Sequence, residues 1–406
     1  DLFSLTVHLM SLDVVLGNPL ENAKRIETAV REVLGEDEFS SSKTSSSEMT
    51  DSLIAFQALT LTGGTCASLF LDDSFLQKTY DALSWLCSNM RSSSIVFVGL
   101  PLKVEGNLYN CVVGMRLGKI LFIQALPKDE SEPSPFKDYR GDVRYIDSGQ
   151  LFNNCVNKYF EKYDGTEYYN GEKIPFQSSI LLGLELKDGC SGMNRTLKVG
   201  FASDSSILDS QFYDVCFLFS SSPFVLKDYG EQNEIAKAFS KVCGNAILSS
   251  SPSHTETSCN WVYSSEVGAF ESGECIGWSP MFDESDSYVG EDNYFTHIFA
   301  ELDIERIWKK RAERFLPYKT VSLVASFDSI AHSSNIRSPF PFISSLNIPS
   351  VLEIEAYIVR LFEIVSRTVR THIHQIGISR CVLGLSGGID STTALLFLAH
   401  SLPKDN

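Results

Sequence analysis

The chain has 406 residues, of which 43% are hydrophobic and 21% charged, a composition typical of a soluble globular protein with two or three domains. Its formal net charge of −17 and its lack of Lys/Arg clusters argue against a nucleic-acid partner. No membrane span or targeting signal is predicted, because no apolar run is long enough and the chain opens without a basic segment before an apolar one. The ten cysteines occur singly, which favours reduced thiols and a cytoplasmic location.

Apolar periodicity predicts strands alternating with helices along most of the chain. We predict an amphipathic helix over 18–34, because Pro19 falls in its first turn and Gly35 directly follows it. Residues 36–52 are acidic and rich in Ser, which predicts a solvated insertion. Further helices are predicted at 73–89 and 351–375, and further strands at 5–12, 53–56, 94–99, 107–115, 119–123, 179–186, 197–201, 215–219, 245–249, 266–270 and 275–278.

The most distinctive stretch lies at 381–400, where an apolar run, a glycine turn and an apolar helical pattern follow one another. The run 381–385 predicts a buried strand, which is broken by Ser386–Gly388. Asp390 and Ser391 are residue types that cap helices, and the pattern after them predicts a helix. The turn is therefore predicted to lie at a helix N-terminus.

A turn in that position can bind phosphate. The first N–H groups of a helix lack partners and the helix dipole is positive there, so an anion is stabilised. Gly387 and Gly388 allow positive φ and a close backbone approach, and Ser386 and Ser391 add hydroxyl donors. The Asp390 carboxylate would repel a bare phosphate, which leaves two roles open for it, a Mg²⁺ ligand or a helix cap. An ordinary glycine turn is disfavoured by the residue order around it.

The segment Ser386-Gly-Gly-Ile-Asp-Ser391 resembles the pyrophosphate loop of the ATP pyrophosphatases, the group that holds NAD, GMP and asparagine synthetases. It is not a Walker P-loop, since no Gly-Lys-Ser/Thr follows. The resemblance implies that Ser386, Gly387, Gly388, Asp390 and Ser391 bind the phosphates of ATP, with Mg²⁺ at Asp390. It also implies the chemistry of that group, in which a substrate is adenylated and ammonia then displaces AMP.

The preceding residues resemble the nitrilase superfamily. Asn18-Pro-Leu-Glu-Asn-Ala matches the start of its first helix, and residues 56–64 fall where it has Phe-Pro-Glu-Leu-x-Leu-Thr-Gly. The hairpin at 109–123 and Ser220-Ser-Ser-Pro-Phe224 are similar to segments of the glutaminase domains of NAD synthetases. The implied fold is α/β, a nitrilase-like αββα sandwich followed by the first elements of a Rossmann-like synthetase domain of the adenine nucleotide α-hydrolase type.

A nitrilase-like domain followed by such a loop resembles the glutamine-dependent NAD synthetase family. The resemblance implies a nitrilase-like domain at 1–316, a linker at 317–350 and the N-terminal part of a synthetase domain at 351–406. It also implies nicotinic acid adenine dinucleotide as substrate, ATP and Mg²⁺ as cofactors, glutamine or ammonia as nitrogen donor, and a homo-oligomer. Because the chain does not begin with Met and stops soon after the loop, we expect a fragment that is inactive by itself.

The catalytic residues of nitrilase-type glutaminases are not all present. Those enzymes use a Cys nucleophile, a Glu base and a Lys that stabilises the tetrahedral intermediate. The Glu position falls on Ala58 and the Cys position on Ala202. The Lys position falls on Leu126, or on Lys128 if two residues are inserted. Because both the base and the nucleophile are missing, we predict that the domain does not hydrolyse glutamine.

The nearest thiols to Ala202 belong to Cys190 and Cys216, which lie before the predicted strand 197–201 and within the next strand. Neither is expected to replace the nucleophile, so ammonia would arrive free or from a partner protein. Two alternatives stay open: a non-catalytic nitrilase-like scaffold or assembly domain of an ammonia-dependent synthetase, and a decayed gene. A plain amidase acting on another amide is disfavoured, because it would lack a nucleophile.

Overall fold

The computed structural model describes residues 4–35, 52–128, 135–142, 144–147, 173–187, 194–224, 231–258, 261–279, 294–313, 351–377 and 380–402. Most of the predicted insertion at 36–52, the predicted linker at 317–350 and Cys190 therefore lie outside the described residues. In the part that is described, no helix is long and apolar enough to cross a membrane.

A first sheet is formed by eight described strands in the order β14-β1-β2-β3-β4-β5-β7-β6. Strands β1, β2 and β3 run parallel to one another, and β5 and β7 form a separate parallel pair. The strands are β1 (Ser4–Leu12), β2 (Leu53–Ala55), β3 (Ile95–Val104), β4 (Asn107–Arg116), β5 (Lys119–Ala125), β6 (Arg144–Asp147), β7 (Lys173–Gln177) and β14 (Phe295–Asp303).

A second sheet is formed by six described strands in the order β13-β12-β11-β10-β9-β8, with β9, β10 and β11 parallel. The carboxyl ends of the two parallel sets lie at the same end of the molecule. There, Ser11 Oγ donates to Ser251 O and Ser250 Oγ donates to Met10 O, both at 2.9 Å. The strands are β8 (Leu182–Lys187), β9 (Asn194–Ser203), β10 (Val215–Phe219), β11 (Ala246–Ser250), β12 (Val267–Glu271) and β13 (Glu274–Trp278).

The described helices flank the two sheets and form a pair near the C-terminus. The first of them shows why its sequence forms a helix: Asn18 caps it by accepting from Glu21 N–H, and Pro19 occupies the first turn. The helices are α1 (Pro19–Leu34), α2 (Asp73–Asn89), α3 (Glu231–Cys243), α4 (Ile304–Glu313), α5 (Val351–Gln375) and α6 (Ile389–Ser401), and a 3₁₀ segment spans Asp204–Phe212.

The sheets pack face to face with helices outside, which confirms the predicted αββα sandwich. Between the sheets, Phe97 lies with its ring centroid 4.9 Å from those of Phe201 and Phe217. Residues that alternate with these inward side chains face α1 and α2 on one side and α3 on the other. Because both faces of each sheet are covered, most of its strands appear in the sequence as short, nearly continuous apolar runs. Such runs were the basis of most of the strand predictions.

The predicted strand at 381–385 is wrong, because these residues form no strand and are largely exposed. Val382 is fully exposed, and Leu385 is 59% exposed. A strand needs a neighbour to bond its N–H and C=O groups, and no described strand pairs with this run. Residues 351–402, as far as they are described, form α5 and α6 without a strand, so the Rossmann-like part of the predicted fold stays a prediction.

Candidate functional site

The glycine turn at Ser386–Ser391 leads directly into α6. Gly388 is the N-cap residue and Gly387 has a φ of +82°, a conformation that favours glycine. The hydroxyl oxygens of Ser386 and Ser391 lie 3.1 Å apart, and Ser386 Oγ accepts from Gly388 N–H at 3.4 Å. A Cβ added at Gly387 would meet no atom within 4 Å, so the surface of the turn is open.

These residues fit a pyrophosphate group. Thr392 N–H donates to Gly388 O at 3.2 Å as the first hydrogen bond of the helix, so the N–H groups before it are not used inside the helix. They point toward the turn together with the dipole of the 13-residue α6. The hydroxyls of Ser386 and Ser391 lie on the same exposed surface, where Ser391 Oγ donates to Gly388 O at 3.1 Å. The arrangement can stabilise an anion that approaches the turn.

Asp390 lies in the first turn of α6 and does not cap it. The cap is Gly388, with no side-chain hydrogen bond, so the predicted capping role is wrong. The second role, as a Mg²⁺ ligand, stays a prediction. Mg²⁺ is usually held by one or two carboxylates and by phosphate oxygens, so a single carboxylate beside a phosphate site fits it. Across the described ranges, no three His, Cys, Asp or Glu side chains cluster as a metal site.

The C-terminal half of α6 is fixed against α5. The Arg370 guanidinium donates to the carbonyls of His400 at 2.9 Å and Ser401 at 3.2 Å, which otherwise lack partners at a helix end. The rings of Phe362 and Phe397 stack with centroids 4.9 Å apart. The contacts hold one end of α6 and leave its N-terminal turn accessible.

The predicted Glu position lies in the packed interior. Ala58 follows β2 and is 3% exposed within the core between the sheets. Backbone from β3 passes so close that a Cβ at Gly99 would lie 2.2 Å from Leu59 N. A carboxylate at position 58 would be surrounded by apolar side chains and would lose its hydration. Alanine fills this space without that cost.

The predicted Cys position lies one residue before the end of β9. Ala202 is fully buried and opposite Leu218 on β10, and it packs on the α3 side of the sheet with Tyr213 and Cys216. Desolvation raises the pKa of the Cys216 thiol well above its usual range. Because the thiolate is the nucleophilic form, this burial makes Cys216 a poor nucleophile.

The two candidate Lys positions differ in their surroundings. Leu126 is 1% exposed and belongs to the core between the sheets. Lys128 is half-buried and lines a pocket of about 510 Å³ that opens where β5 ends, and its backbone N–H donates to Asp138 Oδ1 at 2.7 Å. The described residues that line the pocket are Ala125, Pro127, Lys128, Asp138, Tyr139, Arg140, Ser178 and Ser205.

Asp204 fixes the turn that follows β9. Its Oδ2 accepts from the hydroxyls of Ser220 at 2.9 Å and Ser222 at 2.8 Å, and from the N–H groups of Ser221 and Ser222 at 3.2 and 3.3 Å. Burial raises the pKa of the Asp204 carboxyl, and these four donors act in the opposite direction. The strand that precedes Asp204 and the segment Ser220–Phe224 were both identified from the sequence. Their contact follows from the parallel pairing of β9 and β10, which brings two strand ends together.

A buried carboxylate that the sequence analysis missed lies at the same end of the sandwich. Glu256 accepts from Gly64 N–H at 2.5 Å, Ser253 N–H at 3.1 Å and Gln57 Nε2 at 3.3 Å. Desolvation raises the pKa of the Glu256 carboxyl to about 7. The Ser-His-Thr-Glu sequence from Ser253 is a capping-box signal that could have indicated the local turn, but not its contact with residues 57–64.

The turn that contains Glu256 also contacts α5. Gln375, the last residue of α5, donates its side-chain amide to Thr255 O at 2.8 Å and Thr257 O at 3.2 Å. Glu256 thus links the loop that contains Ala58 to the 253–257 turn. Gln375 links that turn to α5, the helix that precedes the glycine turn. The contact connects the sandwich to the C-terminal helices.

Comparisons with known proteins point to one group of enzymes. No protein-family profile matches the chain. Over 369 residues it is 21% identical to the glutamine-dependent NAD(+) synthetase of Mycobacterium bovis, covering 87% of this chain and 50% of that protein. The crystal structure of a glutamine-dependent NAD(+) synthetase from Cytophaga hutchinsonii is similar with a TM-score of 0.65 and 15% identity, covering 98% of this chain and 52% of that one.

A second solved structure gives the same result. The glutamine-dependent NAD+ synthetase from Acinetobacter baumannii in complex with adenosine diphosphate has a TM-score of 0.60 and 16% identity, covering 99% of this chain and 58% of that one. The chain spans about half the length of the curated relatives it matches. The resemblance predicted from the sequence is confirmed, and the chain shares the fold of glutamine-dependent NAD(+) synthetases over nearly all of its length.

Proposed function

We propose that the protein that carries this chain is an NAD synthetase, which amidates nicotinic acid adenine dinucleotide with ATP and Mg²⁺ and takes its nitrogen from ammonia. The observation that supports this most is the order of its parts. An αββα sandwich is followed by two packed helices, the second of which starts at a Ser-Gly-Gly-Ile-Asp-Ser turn. We assign residues 1–316 to a nitrilase-like domain, 317–350 to a linker and 351–406 to the start of a synthetase domain.

The glycine turn would provide the phosphate site of this reaction. Backbone N–H groups at the start of α6 and the hydroxyls of Ser386 and Ser391 would hold pyrophosphate oxygens, and Gly387 and Gly388 would let the backbone approach them. Asp390 would hold Mg²⁺ beside them. When bound, ATP with Mg²⁺ supplies the activation of the dinucleotide carboxylate.

In this enzyme the sandwich would not hydrolyse glutamine. This is supported by the buried alanines at the two positions proposed for the base and the nucleophile, and by the desolvation that raises the pKa of the Cys216 thiol. Ammonia would therefore come from solution or from a partner protein rather than from glutamine. We further propose that the protein works in the cytoplasm and as a homo-oligomer.

The test is the nucleotide chemistry of the protein that carries this chain, supplied with ATP, Mg²⁺, ammonium and nicotinic acid adenine dinucleotide. We expect NAD to form together with pyrophosphate and AMP. A Gly387→Val variant, whose side chain would occupy the open surface of the turn, should make none of these three products. If pyrophosphate release from ATP does not depend on the dinucleotide in the unaltered protein, the proposed reaction is wrong.

A second candidate function is a non-catalytic scaffold or assembly domain, and the contact between Gln375 and the 253–257 turn favours it. In that case the sandwich would position α5 or other subunits, in an ammonia-dependent or a decayed synthetase. Analytical ultracentrifugation of the 406-residue chain, combined with an ATP titration, distinguishes the scaffold from the synthetase. Self-association without ATP binding supports the scaffold alone, whereas ATP binding that requires Gly387 supports the synthetase.

A further inference from the structure

Two histidines from distant parts of the chain meet on the outer face of the first sheet. His8 lies on β1 between Val7 and Leu9, which face the core between the sheets, so its own side chain points outward. His297 lies on β14 opposite Met10, which makes it a diagonal neighbour of His8. His8 Nδ1 and His297 Nε2 are 3.0 Å apart, although the two residues are separated by 289 positions in the chain. Two strands therefore bring two imidazole nitrogens together.

The two rings meet edge to edge. Their planes differ by 16° and their centroids are 5.2 Å apart. The centroid distance exceeds the 3.0 Å between the nitrogens by about the two distances from centroid to nitrogen, so the nitrogens of His8 and His297 point at each other. Because each neutral imidazole carries one N–H, one ring donates and the other accepts. Without an ion, the two facing nitrogens share one hydrogen.

Burial keeps both rings in the form that binds metal ions. His8 is 7% exposed and His297 is half-buried. Desolvation, with a smaller contribution from His297, lowers the pKa of His8 to about 4, and desolvation also lowers the pKa of His297. Metal ions bind neutral imidazole, so near neutral pH protons compete little with them. One ring has to move its hydrogen to its outer nitrogen, and the pair neither gains nor loses a proton.

The separation of the two nitrogens is close to that in a zinc site. Zn–N bonds of about 2.0–2.1 Å at the tetrahedral angle place two ligand nitrogens about 3.3 Å apart, against 3.0 Å between His8 and His297. Each ring has to tilt by about 35° so that both lone pairs point to one ion beside the line between the nitrogens. Phe299, whose ring centroid is 5.5 Å from that of His8, is 52% exposed, so an ion and its waters have access from this edge.

We propose that His8 and His297 form a binding site for a divalent ion that prefers imidazole, with Zn²⁺ as the best fit and water completing its coordination. Imidazole suits Zn²⁺, whereas Mg²⁺ prefers oxygen ligands, so this site differs in chemistry from the Mg²⁺ role proposed for Asp390. The ion links β14, at the edge of the described sheet, to β1 and stabilises their pairing. The site needs neither ATP nor the dinucleotide, so its failure and the failure of the proposed synthetase are separate results.

The test is calorimetric titration of the 406-residue chain with Zn²⁺ near neutral pH, with Mg²⁺ as the negative control. The exposed thiols of Cys275 and Cys381 can also bind Zn²⁺, so every chain that is titrated carries Cys275→Ser and Cys381→Ser. We expect His8→Gln and His297→Gln each to weaken Zn²⁺ binding about tenfold or more, because each removes one of two ligands. The matched control is His400→Gln on α6, which lies outside the pair and should leave the affinity unchanged.

A second measurement needs no substitution in the pair. The ¹⁵N resonances of the imidazoles report which nitrogens carry hydrogen and which bind metal, so Zn²⁺ should shift those of His8 Nδ1 and His297 Nε2. This measurement decides the matter if His8→Gln proves unfolded by circular dichroism. Three results would overturn the proposal: equal Zn²⁺ affinity in His297→Gln and the chain with both histidines, ¹⁵N resonances of the pair that Zn²⁺ leaves unchanged, or binding of Mg²⁺ to the pair as tight as that of Zn²⁺.

Discussion

The sandwich and the C-terminal helix pair differ in how far their proposed functional positions are buried. In the sandwich, Ala58 and Ala202, the positions predicted for a base and a nucleophile, are 3% and 0% exposed. In the helix pair the residues of the proposed phosphate turn lie on an exposed surface, and Val382 and Ile389 around them are 100% and 81% exposed. A fold is thus held by its core and a function by a few side chains, and the two can be lost separately.

Two carboxylates of the sandwich stabilise its loops through several hydrogen bonds each. Asp204 and Glu256 each receive three or more hydrogen bonds at the end where the parallel strands finish. Through these bonds both carboxylates hold loops in place at the end of the sandwich where Ala58 and Ala202 lie.

The largest expected effect concerns Glu256 and pH. Its pKa of about 7 in the folded protein exceeds the ordinary value of 4.5, so the folded state keeps a proton that the unfolded state releases between these values. The free energy of unfolding should therefore fall as pH rises from 4.5 to 7, by roughly 3 kcal/mol for this group. Urea unfolding at a series of pH values should show a weaker fall in Glu256→Gln.

The control for that measurement is Glu234→Gln on the exposed side of α3, which should keep the pH dependence of the unaltered chain. Only the difference between variants is informative, because His8 acts in the opposite direction. Burial lowers the pKa of His8 to about 4, so its contribution to stability is lost as pH falls from 6.5. A Glu256→Gln curve parallel to that of the unaltered chain would show that the carboxylate is not buried as described.

A smaller effect is expected at Asp204. Asp204→Ala removes the acceptor of four donors and should lower the free energy of unfolding by about 2 kcal/mol, because the donors lose a charged partner. Asp209→Ala changes an exposed carboxylate on the same 3₁₀ segment and should be nearly neutral. Chemical denaturation of both variants checks this. Equal stability would mean that the strand ends do not depend on Asp204.

The helix pair gives the next prediction. Gly387→Ala adds a methyl group at a φ of +82° and should weaken ATP binding about tenfold, because the turn must leave the conformation that presents its N–H groups. Gly377→Ala is a matched control, since Gly377 has a φ of +70° and open space around its Cβ but lies outside the turn. Calorimetric titration with ATP distinguishes them. Equal weakening in both variants would reflect backbone strain alone.

The smallest effect is expected where the two regions meet. Gln375→Met keeps the length of the side chain and removes the amide that donates to Thr255 O and Thr257 O. Hydrogen exchange in the last turn of α5 should become about fivefold faster, since one exposed hydrogen bond contributes about 1 kcal/mol. Gln375→Lys retains a donor and should restore slower exchange. Unchanged exchange in Gln375→Met would show that this contact does not hold the helix.

Local sequence patterns predicted much of the fold. The helices Asp73–Asn89 and Val351–Gln375 and the strand Val215–Phe219 have the predicted bounds, and apolar residues of the first helix and of the strand are buried as their spacing indicated. The same reasoning failed at 381–385, since an apolar run indicates burial only where a neighbouring strand is present to pair with it. Strand β14 was missed, although it pairs with β1 along nine residues.

The polar contacts of the site were less predictable than its loops. The glycine turn is contiguous in sequence, so its residues could be named before the structure. Glu256 and Gly64 are 192 residues apart, and their contact depends on how two sheets pack. No local signal carries that information, which explains why Glu256 could not be identified from the sequence.

The most direct test of the account is the source of the amide nitrogen in NAD. The protein that carries this chain would be given ATP, Mg²⁺ and nicotinic acid adenine dinucleotide, with glutamine labelled with ¹⁵N in its side-chain amide and unlabelled ammonium. The mass of the NAD formed shows which donor was used. We predict unlabelled NAD, because Ala58 and Ala202 offer no base or nucleophile. Labelled NAD would show that the sandwich hydrolyses glutamine and would contradict the account.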